Sequence, residues 1–264
     1  MKQLYDTIIA QKEYALLTIK LNRPEVHNAM NDVMIAELTE AFQSIAKKED
    51  VRAVVLRGNG KSFCAGADLN YMKSIAGFGF DENVKDGKKL AALFKAIYDC
   101  PVPTIAVIHG AAFGGANGLL AACDIVIAEE NTTFAFSEVK LGIAPATIAP
   151  FVIKRIGEFG AKELMMTGKR FKGPEAEKWH LVHHSVKEDL LEETLQKTIK
   201  QLMSSAPEAV KETKELIGKV IEAGTISDKL VNFTARKIAE LRASEEGQEG
   251  MTAFLKKRKP NWVD

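Results

Sequence analysis

The sequence predicts an α/β core that gives way to a helical C-terminal region, and three observations carry that prediction. Short apolar runs rich in β-branched residues, Ala53 to Arg57 (AVVLR) and Thr104 to Ile108 (TIAVI), halt at Gly58 and Gly110, as strands of a buried parallel sheet do. Stretches with helical spacing of apolar residues lie between such runs. From Gly173 onward the pattern is almost wholly helical, punctuated by Pro174, Pro207 and Gly224.

Taken in order, Tyr14 to Leu21 (YALLTIKL) is a first strand that ends at Asn22-Arg23-Pro24, where proline stops ladder pairing. From Asp32, the apolar positions Ile35, Leu38, Phe42 and Ile45 recur at three and four residues, so an amphipathic helix follows with Asn31 or Asp32 as its N-cap. AVVLR is the second strand, Leu90 to Tyr98 a helix, and TIAVI the next strand. Ala116 to Ala122 is a buried helix; IVIA after Asp124 and Thr133 to Phe136 are two more strands. The shift to helix near residues 190–205 sets a boundary, giving a core over 1–195 and a helical region over 196–264.

Composition narrows the function. Over 264 residues, 46% are hydrophobic and 27% charged, as in a globular enzyme. The formal charge of +1 provides no global field for nucleic acid or anionic lipid. Cys64, Cys100 and Cys123 are odd in number and lack CxxC spacing, which speaks against a disulfide framework and for a reducing, cytoplasmic setting. The uncharged segment Pro101–Cys123 could span a bilayer by length, but Pro103, His109, Asn117 and its glycines make it strand, glycine turn and buried helix.

Several motifs are decoys. Gly60-Lys61-Ser62 resembles the end of a P-loop, but Val55 stands where its first glycine belongs. His180, His183 and His184 lack an acidic or cysteine partner set, so WHLVHHS reads as a partly exposed turn and no metal is expected. Cys64 has no matched histidine and is read as a packing residue. Ser137 lacks a GxSxG context.

Chemistry concentrates in two small-residue loops. Ser62-Phe63-Cys64-Ala65-Gly66-Ala67-Asp68-Leu69 follows one strand; Gly110-Ala111-Ala112-Phe113-Gly114-Gly115-Ala116 follows another and opens a helix. Small residues let a ligand approach the backbone, and main-chain N–H groups free at such turns suit a developing negative charge. Facing each other, the loops would form a two-donor oxyanion hole.

FCAGADL, IHGAAFGGANGLLAACDIVIA and FAFSEVKLGIAP, in this order and spacing, resemble the crotonase, or enoyl-CoA hydratase/isomerase, family. Asn22-Arg23-Pro24, Asn28-Ala29-Met30, Gly168-Lys169-Arg170-Phe171, Ala176-Glu177-Lys178-Trp179 and EGMTAFLKKRKP extend the resemblance over essentially the whole chain. It implies a spiral of ββα turns with a C-terminal helical part that drives trimers, which often pair into hexamers. It also implies an acyl-CoA thioester substrate and no cofactor beyond the CoA that the substrate carries.

The resemblance assigns the oxyanion hole to the N–H groups of Ala67 and Gly115. It lines the substrate with Ala65, Asp68, Leu69, Asn70, Gly114 and Gly118, and sets Val26, in the loop Glu25-Val26-His27, near the CoA nucleotide. Asn70 stands where some relatives carry lysine, so Lys256, Lys257 and Arg258 are alternative sources of charge. Hydratases of the best-known type use two glutamates. Glu138 matches one, whereas the other falls on Gly118, leaving one carboxylate unless Asn117, solvent or substrate fills the gap. SEVKLGIAPATIAPFVIKRIGE, NYMKSIAGF and the glycine at 118 look most like bacterial methylglutaconyl-CoA hydratases of leucine breakdown, implying hydration of a branched enoyl-CoA. The same residues also suit an enoyl-CoA isomerase, a decarboxylase, or an acyl-CoA binding subunit without catalysis.

Overall fold

In the computed structural model, which describes residues 2–47 and 50–263, the chain opens with an antiparallel meander of β1 (Lys2–Leu4), β2 (Ile8–Glu13) and β3 (Leu16–Leu21). The strand expected from Tyr14 starts two residues later, because Tyr14 is a turn residue with φ of 51°. β2 carries polar Gln11 and Lys12, which hid it from a search for apolar runs.

Next come α1 (Asp32–Ile45), β4 (Ala53–Gly58), α2 (Leu69–Ile75), α3 (Phe80–Tyr98), β5 (Thr104–Ile108), β6 (Ala111–Phe113) and α4 (Ala116–Ala122). They are followed by β7 (Ile125–Glu129), β8 (Thr133–Ala135), α5 (Ala149–Thr167), β9 (Arg170–Lys172), α6 (Gly173–Lys178) and β10 (His184–Val186). The remainder is α7 (Glu188–Ser204), α8 (Pro207–Ala223), α9 (Asp228–Ala243) and α10 (Glu245–Leu255).

The main sheet runs β1-β2-β3-β4-β5-β7-β10, parallel from β3 onward, and a small second sheet runs β6-β8-β9. Every residue of β5 is buried, and so are all but Arg57 of β4, as the uninterrupted apolar runs require. α1 packs Met34, Ile35, Leu38, Ala41, Phe42 and Ile45 inward, and the Asn31 side chain caps it by accepting from Met34 N at 2.9 Å. All seven residues of α4 are buried, so Pro101–Cys123 is the expected strand, turn and interior helix, with β6 added inside the turn. No helix among the described residues is long and apolar enough to cross a membrane.

Two compact units result: Met1–Cys100 with Thr104–Leu195, and Pro101–Pro103 with Gln196–Asp264. In the first, the histidine cluster departs from the expected turn, since His184 begins β10 and the helical run after Gly173 is broken there. His183 Nδ1 accepts from Val126 N at 3.1 Å, and burial, with Arg155 nearby, lowers this imidazole to about 4. No cluster of His, Cys, Asp and Glu suited to a metal occurs among the described residues. Cys64, Cys100 and Cys123 are buried and form no disulfide. In the second unit, Arg258 forms two 2.6 Å hydrogen bonds with Glu249, and these, with the Asn261 N–H, hold that carboxylate at about 2. Arg258 is therefore committed to a structural ion pair and is a poor substitute for a phosphate-binding lysine.

The loop between β3 and α1 is fastened by one buried amide. Asn28, at φ of 56°, accepts from Arg23 N at 2.8 Å and donates to the carbonyls of Asn59 and Ser62, each at 2.8 Å. Asn28→Ala strands these three backbone groups. It is expected to cost about 1–3 kcal/mol, read as a lower urea midpoint at unchanged slope.

Candidate active site

The two small-residue loops are laced together by backbone hydrogen bonds. Phe63 N donates to His109 O at 2.8 Å, Cys64 N to Ala111 O at 3.0 Å, and Phe113 N to Cys64 O at 3.2 Å. On its other flank the first loop is held by residues 27–30: Ala65 N donates to His27 O (3.0 Å), Met30 N to Gly66 O (2.7 Å) and Asp68 N to Met30 O (2.8 Å). This lattice leaves some amides unused, Gly66 N among them. The N–H groups of Ala67 and Gly115 have no hydrogen-bond partner among the described residues. Met30 serves both places, bridging Ala67 through its backbone while its Cε lies 2.8 Å from where a side chain on Gly115 would begin.

Asp68 fixes the residue after Ala67. Its Oδ1 accepts from Asn70 N (2.8 Å) and Tyr71 N (3.1 Å), capping α2, and its Oδ2 accepts from Arg23 Nη2 at 2.9 Å. Burial alone would raise this carboxyl, but those two N–H donors and the guanidinium outweigh it and hold the pKa below its ordinary value. Arg23 also donates from Nη1 to Ala29 O at 2.6 Å, so one cation ties both flanks of Met30 to the loop. Around this frame Ala65 is half-buried, Ala67, Leu69 and Asn70 are exposed, and Val26 lies in a 3-10 turn at the surface. A polar cavity of about 630 Å³, bordered by Arg23, Asp68, Asn70 and Tyr71, opens on the α2 side of this loop. Cys64 is fully buried, and burial pushes its thiol up to about 12, which excludes a thiolate nucleophile.

Glu138 sits in a 3-10 turn, Ser137–Leu141, that follows β8. Its Oε1 lies 3.5 Å from the position a Cβ on Gly114 would take, ordinary van der Waals contact, so it is the φ of 53° that favours glycine at 114. Oε2 is buried and has no hydrogen-bond partner among the described residues, and burial raises this carboxyl above its ordinary value. The residue's own backbone N–H offsets part of that burial, and a carboxylate half removed from water with one oxygen unpartnered, beside Gly114, is inclined to take up a proton.

Position 118 is closed. A Cβ there would lie 2.6 Å from Ile148 Cγ2, 2.6 Å from Phe94 Cζ and 2.7 Å from Phe94 Cε1. The glycine thus lets α3 and the start of α5 pack onto α4, and no space is left for an acidic side chain. Asn117 does not fill the role either, because its Nδ2 is directed at the carbonyls of Ala135, Ala112 and Gly114. Sequence reasoning missed Phe94 and Ile148, although a glycine inside an apolar helix is the signal of a close approach.

With this geometry in hand, comparison with known proteins is direct. Residues 11–264 match the enoyl-CoA hydratase/isomerase family, and the chain belongs to it. It is 32% identical over 260 residues to the short-chain-enoyl-CoA hydratase of Clostridium acetobutylicum, covering 96% of each chain. It is 32% identical over 248 residues to a mevalonyl-coenzyme A hydratase of Aspergillus fumigatus, covering 94% of this chain and 91% of that one. Among solved structures, an enoyl-CoA hydratase from Shewanella pealeana superimposes with a TM-score of 0.94 at 37% identity, over 98% of this chain and 97% of that one. The α/β architecture is accordingly the crotonase spiral, and the protein is an enzyme of the hydratase/isomerase type, with its relatives favouring hydration.

Gly118→Ala is expected to overpack the α3/α4/α5 contact and cost about 1–3 kcal/mol. Phe94→Leu in the same chain should restore part of that loss. A double-mutant cycle by chemical denaturation measures the coupling, and simple additivity would contradict the packing account.

Proposed function

We propose that the protein adds water reversibly across the α,β double bond of an enoyl-CoA, with a branched substrate of methylglutaconyl type favoured. The N–H groups of Ala67 and Gly115 receive the thioester oxygen as it gains enolate character, and Glu138 activates water and exchanges the α-proton. The observation that carries this reading is the buried, unpartnered Glu138 carboxylate oxygen beside Gly114, next in sequence to Gly115, whose amide has no partner among the described residues. Each oxyanion donor of this kind lowers a barrier by about 3 kcal/mol. The branched substrate draws support from the sequence segments around Glu138 and from the relative named for a mevalonyl thioester. Val26, Ala65, Asp68, Leu69 and Asn70 belong to the proposed acyl-CoA path, Asp68 by holding the loop through its backbone. Three buried cysteines outside any disulfide suit a reducing cytoplasm, and the helical C-terminal unit is the proposed site of trimer or hexamer assembly.

A second reading is favoured by the Phe94 and Ile148 side chains over Gly118. With no second acid and an apolar wall on that side, Glu138 alone could carry a proton between the α and γ carbons, as an isomerase does. Incubating both enoyl isomers in deuterated water with mass detection separates the two. A 3-hydroxyacyl product with deuterium at the α carbon is expected; double-bond migration with no gain of water would establish the isomerase.

Glu138→Gln should lower kcat by about 10²–10⁴-fold with a small change in KM. Near-normal hydration by this variant would reject the role of Glu138. Since burial raises the Glu138 carboxyl, the acid limb of kcat/KM should lie above the ordinary glutamate range, activity falling as the pH drops through it.

The same shift has a stability consequence of opposite sense. The folded state binds this proton more tightly than the unfolded chain, so Glu138 reduces stability as the pH rises from the unfolded to the folded pKa. Glu138→Gln should therefore melt higher than the parent above that window and alike below it, as thermal melts across pH will show.

A further inference from the structure

Asn117 is a fully buried polar residue in the second position of α4, and its side chain spans the two segments that the proposed chemistry uses. Its Nδ2 donates to Ala135 O at 2.9 Å and lies 3.3 Å from both Ala112 O and Gly114 O. Ala135 O also accepts from Gly114 N at 2.9 Å, so this one carbonyl receives the turn twice, through backbone and side chain. Ala135 ends the strand that leads, three residues on, to Glu138; Gly114 immediately precedes Gly115. The distance from the carboxylate to the Gly115 amide therefore depends on how β8 is fastened to the turn after β6, and the Asn117 amide is a side-chain fastener there.

Asn117 Oδ1, in contrast, is buried with no partner among the described residues. A group present only for packing would avoid this cost, since an apolar side chain of similar size strands no acceptor of its own.

We propose that Asn117 is a positioning residue that sets the spacing of Glu138 from the Gly115 amide. The inference rests on the functional reading above. The Glu138 carboxylate cannot be moved without loss, because reacting groups displaced by about 1 Å can lose on the order of 10²-fold in rate.

The test uses the full-length protein with Asn117→Ala, which removes the donors, and Asn117→Ser, which keeps one. Three quantities are measured: kcat and KM for the enoyl-CoA turned over, the near-ultraviolet absorbance of a bound 3-oxoacyl-CoA enolate, and hydrogen exchange by mass spectrometry over residues 112–118 and 133–138. Asn117→Ala should lower kcat by about 10- to 100-fold with KM within about threefold, weaken the enolate signal, and speed exchange in those two segments by about tenfold while β4 and β5 keep their protection. Asn117→Ser should recover part of the kcat. The proposal is overturned by a kcat within about threefold of the parent, by a loss confined to KM, or by faster exchange spread evenly over the sheet. Should Asn117→Ala fail to fold, Asn117→Ser decides by the same criteria at reduced amplitude. A parent protein that converts no enoyl-CoA would instead reject the functional reading, and the exchange pattern would still judge the clamp.

Discussion

The site depends on a strip of backbone pairing in which residues 63–68 are sandwiched between residues 27–30 and residues 109–113. These segments lie just beyond the C-terminal ends of β3, β4 and β5, where a parallel sheet delivers successive loops to the same edge. Pairing uses the amides of Phe63, Cys64, Ala65 and Asp68, and Ala67 is passed over because parallel bridging uses its neighbours, Gly66 O and Asp68 N. A free amide here is a by-product of register. The charged residues of this loop, Arg23 and Asp68, are occupied in holding that register, each bonded to the backbone as well as to the other.

Burial of Glu138 sets its proposed role against stability. A carboxylate with one buried oxygen lacking a partner, only partly offset by its own backbone N–H, is less stable folded than a neutral amide in its place, and that unfavourable burial is what raises its affinity for a proton. Asp68 has the opposite environment, two N–H donors and a guanidinium, which hold its carboxyl below the ordinary value. The two carboxyl groups are thus separated in character by their surroundings, one inclined to stay ionised and one to bind a proton.

Much of the fold was legible in the residues. AVVLR, TIAVI and IVIA are central strands buried on both faces, and such strands must be apolar throughout, so composition alone reveals them. β2 was hidden because a strand near the sheet margin tolerates Gln11 and Lys12, and α3 began ten residues before its expected start because its first turns, Phe80 to Lys89, are largely exposed and need no apolar stripe. β10 is three residues long and pairs with β7 from far along the chain, which no local pattern encodes.

The sequence by itself determined the α/β core, the glycine loops and the presence of a single glutamate at the FAFSE segment, since these follow from local chemistry: side-chain shape, chain reversal and which atoms can carry a proton. Only tertiary structure decided that position 118 is sealed by Phe94 and Ile148, that Arg258 is bound to Glu249, and that Asn117 faces three carbonyls. Those outcomes depend on which groups distant in sequence come within a few ångströms; a glycine such as Gly118 can mark a close approach, but no local pattern names the partners.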